Sequence, residues 1–321
     1  MKTTMTALSA LLLLTGCGEE AAQTTPDNTQ IEAAVESAQA EIIATESARL
    51  NVFFAAKFDE AVARSPMLQT FRGIKTDYDK WDDVSPAAVL EEMEIQRATV
   101  AEMRREFDPA TLDKQAALSY RLAEYQLQQA ERDFKYRGNN LTFNQMRGQH
   151  SGIPAFLINQ HRIRDVSDAE AYISRLSGIA EYLGTFHARA VEGAENGVLA
   201  PRFVYDYVLE SAGNIVTGYP FEGADPDTPS PLYEDFAKKV AALKLPEDEA
   251  DELLFEARGA LLDSVFPAYV SLIELMTDHR VAAGTDDGAW RLPDGEAYYA
   301  CLLYTSPSPR DLSTSRMPSS A

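Results

Sequence analysis

The chain has 321 residues, 45% hydrophobic and 25% charged, with 17 Gly and 16 Pro, which excludes a wholly disordered, collagen-like or coiled-coil fibre chain. Against 29 Lys and Arg stand 50 Asp and Glu, and the resulting formal charge of -21 repels a phosphate backbone, so no nucleic-acid partner is expected. Two cysteines, Cys17 and Cys301, and four histidines are too few for a disulfide framework or a cysteine-rich zinc site.

Residues 1–16 read as a lipoprotein signal peptide: Lys2, then the short apolar run 7–14, too short to span a bilayer, then Leu14-Thr15-Gly16-Cys17. That last stretch looks like a bacterial lipobox, so Cys17 is expected to carry acyl chains that anchor the protein to a membrane. Gly18, in place of Asp, resembles the outer-membrane rather than the inner-membrane pattern, which points to the cell envelope with the body facing the periplasm. Residues 17–30 lack apolar periodicity and read as a flexible tether.

From 31 to 300 the period is helical, with helices expected over 31–64, 86–106, 111–136, 168–195, 201–217, 231–243, 247–265 and 268–283. Ser65-Pro66, Ser85-Pro86 and Ser230-Pro231 mark starts, and Ser167-x-x-Glu170 has capping-box spacing. Tyr172, Leu176, Ile179, Leu183, Phe186 and Ala190 make one apolar stripe. Pro267 should break or kink the chain between the last two helices, while 219–231 and 284–295 read as loops. The expected fold class is all-α, a multi-helix domain.

At residue 301 the composition changes to Ser and Pro without periodicity. Residues 301–311 and 315–321 reverse-translate to the two ends of a short-read sequencing adapter, with 312–314 where a sample index lies. On this reading 301–321 is an artefactual, disordered tail and the helical domain 31–300 is incomplete.

The sequence has no phosphate-cradling Gly loop, no Gly-x-Ser-x-Gly elbow and no His-Glu-x-x-His, and no two of His150, His161, His187 and His279 lie four apart. No catalytic or metal-ligating residue is therefore assigned. The richest polar constellation lies within 144–162, where Gln145, His150, Asn159, Gln160, His161 and Arg162 surround apolar residues and could line a substrate cleft. The alternative for the same residues is hydrogen-bonded loop and helix-end structure. His187 reads as a core or boundary histidine, and Glu91-Glu92-Met93-Glu94 and Glu247-Asp248-Glu249 as solvated first turns.

Gly73-Ile74-Lys75, Trp81-Asp82-Asp83, Asn144-Gln145-Met146, Gly148-x-His150 and Pro154-Ala155-Phe156-Leu157-Ile158-Asn159-Gln160-His161-Arg162 resemble domain-of-unknown-function family 885 of bacterial lipoproteins. So do Asp168-Ala169-Glu170-Ala171-Tyr172-Ile173-x-Arg175-Leu176, Pro201-Arg202-Phe203-Val204, Pro267-Ala268-Tyr269 and Trp290-Arg291-Leu292-Pro293-Asp294-Gly295-Glu296-Ala297-Tyr298-Tyr299. The resemblance implies a mainly helical, zincin-like metallopeptidase acting on peptides. It also implies that the zinc ligands follow Tyr298-Tyr299, so none is carried onto this chain and no cofactor is expected in it. The expected role is the N-terminal scaffold of a lipid-anchored zinc peptidase, the chain itself being inactive; the alternative is a non-catalytic periplasmic binding or envelope-interaction lipoprotein.

Overall fold

A computed structural model describes residues 28–304, apart from 147, 222, 286 and 287. Cys17, the signal segment and most of the tether therefore lie outside the described residues. Among those described, the chain is all-α and contains no β-strand, only one isolated bridge between Tyr219 and Pro229.

Helix α1 (Asn28–Arg64) begins within the stretch expected as tether, so 28–30 are helical. Ser65 then caps α2 (Pro66–Arg72), its Oγ accepting the Leu68 N–H at 3.1 Å. Gly73 closes α2 at φ 76, with Ile74 N–H reaching Gln69 O, a Schellman arrangement that needs a left-handed residue. Helices α3 (Pro86–Glu106) and α4 (Lys114–Lys135) are capped by the side chains of Ser85 and Asp113. Leu50 of α1, Met93, Val100 and Met103 of α3, and Ala116, Tyr120 and Leu127 of α4 bury one small core.

The second, larger core is built by the remaining helices. These are α5 (Gln149–Gln160), α6 (Val166–Ser177), α7 (Ile179–Glu195), α8 (Arg202–Ile215), α9 (Pro231–Leu243), α10 (Glu247–Ala260) and α11 (Phe266–Ala282), with α12 (Gly295–Tyr304) last. α10 and α11 are its spine: Leu253, Ala257, Leu261, Val265, Tyr269, Leu272 and Met276 are all buried. Composition alone would let Glu247–Ala282 cross a membrane, but its apolar stripe is covered by α6, α7, α8 and α9.

Several expectations are corrected. Pro267 does not break the spine. An α-helical Pro267 would leave Asp263 O without a donor and press its ring on that carbonyl, and a π turn at Leu261–Val265, with Phe266 N–H on Leu261 O, absorbs the misfit. The single helix expected over 168–195 is two, split at Gly178. At the split, Trp81 Nε1 donates to Arg175 O at 2.9 Å, and Ser264 Oγ donates to Ser177 O and accepts from Ala180 N–H, so side chains from elsewhere in the chain pair three of the backbone groups at the break. A Cβ at position 178 would sit 3.1 Å from Trp81 Cδ1.

Asp165, not Ser167, caps α6, accepting from Asp168 N–H. Ser230 precedes α9 without capping it; its buried Oγ has no partner. The expected loop at 284–295 contains a 3-10 turn, Ala289–Arg291, and ends where α12 begins. α12 carries helix through residues 301–304, contrary to a disordered tail from 301; 305–321 lie outside the described residues.

Candidate functional site

The six residues expected to line a cleft do not converge. His150 and His161 stand at opposite ends of α5, about 16 Å apart along its axis, and both are buried. Gln145, Asn159 and Arg162 are exposed and Gln160 is half-buried. His161 is hydrogen-bonded at the end of the helix, whereas the buried His150 Nδ1 has no partner.

α5 exists despite Pro154 in its interior. Proline has no N–H for the carbonyl four residues back, His150 O, and the Tyr269 hydroxyl of α11 donates to that carbonyl at 2.7 Å instead. At the other end Lys239 Nζ donates to Leu157 O, Ile158 O and His161 O, each at 2.9 Å, and pairs with Asp235, fastening α9 to the C-terminus of α5.

His161 joins a buried network centred on Arg175, whose side chain is wholly inaccessible. The guanidinium donates from Nε to Lys80 O at 3.0 Å, from Nη1 to His161 Nδ1 at 3.0 Å, and from Nη2 to Thr70 Oγ1 at 2.8 Å and Pro66 O at 3.4 Å. It also lies over the rings of Tyr78, Trp81 and Phe156. Because arginine only donates, His161 Nδ1 must accept, so the ring proton sits on Nε2 and is given to Asp168 O at 2.9 Å. The imidazole is thereby held neutral: burial first, and the Arg175 charge as well, push its pKa down to about 3. Burial alone lowers His150 to about 4, and its Nδ1 has no partner. Burial lowers Arg175 to about 10, which still leaves it charged at neutral pH.

Trp81-Asp82-Asp83 ties this network to the helix starts. Trp81 caps α6 as described and stacks on Tyr182 at 4.8 Å; Asp82 accepts from Ser65 Oγ and Met67 N–H at the start of α2; Asp83 accepts from Ser85 N–H before α3. The charged pattern on the α6 stripe was the available signal: Asp168 and Arg175 share the face of Tyr172 and Leu176, where two ionisable residues must either be partnered or stay out of the core.

These residues do not fit a zinc ion. Both ring nitrogens of His161 are engaged, His150 lies at the far end of the helix, and among the described residues no three His, Cys, Asp or Glu side chains converge on one point.

A groove on the outer side of α5 is the better candidate. Met67 and Phe71 of α2 face Gln149, Gly152, Ile153, Ala155, Phe156, Asn159 and Gln160 of α5 across a space of about 320 Å³. Its floor is apolar and its rim carries three carboxamides. None of the nine lining residues is ionisable, in a chain one quarter charged. Asn159, exposed at the rim, donates its Nδ2 to Ala155 O at 2.8 Å. Asn159 and Gln160 thus line this groove together with Gln149, Met67 and Phe71, which sequence reasoning missed because nothing in sequence brings α2 beside α5. A partly open pocket of about 30 Å³ beside Tyr205 and His279 has room for little more than water.

The model of a bacterial protein family of unknown function, DUF885, matches residues 66–308. No curated protein matches the chain. Among solved structures, the crystal structure of a putative lipoprotein from Colwellia psychrerythraea superposes with a TM-score of 0.63 at 16% identity, over 79% of this chain and 45% of that one. At that identity the likeness concerns the fold, and this chain spans less than half the length of that neighbour.

Proposed function

The chain belongs to the bacterial DUF885 family of unknown function, and from that premise we propose that it is the helical scaffold of a larger, lipid-anchored envelope protein whose whole is a zinc-dependent peptidase. Cys17 carries the lipid in this reading, the body faces the periplasm from the outer membrane, and the zinc ligands belong to other parts of the whole protein. Among the described residues no zinc site is assembled, and in this reading the chain alone is inactive. Its share of the work is to hold substrate.

The observation that carries this reading is the uncharged α2/α5 groove. An apolar floor with carboxamides along the rim suits an extended peptide, whose backbone N–H and C=O groups pair with Gln149, Asn159 and Gln160 while an apolar side chain lies against Phe71, Ile153 and Phe156. A charged ligand would lose its hydration there without gaining a counter-ion. The test is calorimetric titration of the chain with a neutral apolar hexapeptide and its Glu- and Lys-substituted forms. The neutral peptide binds the wild type and not Gly152→Trp, where an indole fills a groove that a Cβ at 152 enters without a close contact. Equal binding of all three peptides, or binding that survives Gly152→Trp, refutes the groove.

A further inference from the structure

Helix α1 is 37 residues long, about 55 Å, and is fastened to the body at Ser47, whose Oγ accepts the Asp113 N–H, and at the fully buried Leu50; before them only Ile43 and Glu46 are partly covered. Among the described residues, 31–42 are all exposed. Along them Ile31, Val35, Ala38 and Ile42 recur at steps of four, three and four, the spacing of a helix-pairing seam, and Ile31, Val35 and Ile42 are 46%, 59% and 55% exposed. An unsupported helix of this length is marginal in water, because helical stability in proteins comes mostly from covering an apolar face.

The charges beside the seam select what covers it. Glu32 and Gln39 flank it on one side and Glu41 on the other, with Glu46 one turn further, and no Lys or Arg occurs between residues 28 and 48. A second parallel copy would set Glu41 against Glu46 of its partner, between molecules each carrying -21. An anionic lipid surface repels the same carboxylates. We infer that residues 31–46 of α1 are a docking surface for a basic amphipathic helix of another protein, whose apolar seam meets Ile31, Val35, Ala38 and Ile42 and whose Lys or Arg flanks meet Glu32, Glu41 and Glu46. This surface is separate from the α2/α5 groove and does not depend on the groove's role.

The probes are two fluorescein-labelled helical peptides of about three heptads with the same leucine seam, one flanked by Lys and one by Glu, titrated against the full chain by fluorescence anisotropy. The Lys-flanked peptide binds at least about ten-fold more tightly, and the difference shrinks as salt is raised from about 50 to 500 mM. The double variant Val35→Asp/Ile42→Asp loses that binding with an unchanged melting temperature, since both side chains lie outside the cores. No binding, equal binding of the two peptides, or binding indifferent to the double variant overturns the inference. So does a concentration-dependent dimer in sedimentation equilibrium that the same variant abolishes, because the occupant would then be a second copy.

Discussion

Arg175 sits at 0% exposure with no carboxylate among its hydrogen-bond partners, and its charge is neutralised by dipoles and ring faces instead. Arg175→Met would leave Lys80 O, Thr70 Oγ1 and His161 Nδ1 without their donor, and is expected to destabilise the fold by about 3–5 kcal/mol in urea unfolding. Arg175→Lys should recover little, because an ammonium cannot reach four partners from one plane. The two buried histidines set an acid limit. Above pH 6.5 each is neutral both folded and unfolded; below it the unfolded chain takes up protons that the folded chain refuses until about pH 4 for His150 and about 3 for His161. Stability therefore falls as pH drops from 6.5 towards 4, by up to about 1.4 kcal/mol per unit for each histidine. In urea titrations across that window, His161→Gln should lower the slope by one proton; an unchanged slope would mean that His161 is already charged in the folded state.

At the scale of elements, the stripes and capped starts were legible because they are local. Ser65-Pro66 and Ser85-Pro86 begin helices as read, and Tyr172, Leu176, Ile179, Leu183 and Phe186 are all buried. Two of the errors share one cause, a backbone group satisfied from far along the chain. The α6/α7 break depends on Trp81 and Ser264, and α5, absent from the expected helices, holds Pro154 in its interior and takes the missing donor for His150 O from Tyr269, 119 residues on from His150. Tyr269→Phe should therefore cost about 1–3 kcal/mol by leaving His150 O unpaired and buried. Adding Pro154→Ala, which restores an N–H for that carbonyl, should return part of the loss, so the double variant is less destabilised than the sum of the singles. Additivity would show that Tyr269 does not act through that carbonyl. Glycines give a second contrast by thermal melting. Gly184→Ala, with nothing near its added Cβ, should stabilise α7 by about 0.5–1 kcal/mol. Gly178→Ala should destabilise by about 1–3 kcal/mol, because Trp81 is held between Tyr182 and Phe156 and cannot move aside.

The whole molecule joins two cores, and the short segment 77–83 supplies several of the ties, beside those from α2 to Arg175 and from Asn139 to Pro293 O. Tyr78 reaches Arg162 through its hydroxyl, Trp81 reaches Arg175, and Asp82 and Asp83 reach the starts of α2 and α3, so 77–83 couples the α1/α3/α4 unit to the larger helical body. Sequence alone could not show this. The all-α class followed from periodicity, whereas the pairing of α2 with α5 that makes the groove rests on contacts such as Phe71 with Phe156, more than eighty residues apart. For the same reason the sequence could single out Asn159 and Gln160, local to one polar stretch, but not Phe71. The central claim is that this chain contributes a neutral peptide-holding groove. It is tested most directly by photo-crosslinking the chain with a neutral apolar peptide that carries a benzophenone side chain, followed by mass-spectrometric mapping. The account predicts adducts on Met67, Phe71, Ile153 or Phe156 that vanish in Gly152→Trp; adducts elsewhere, or adducts that persist in that variant, would contradict it.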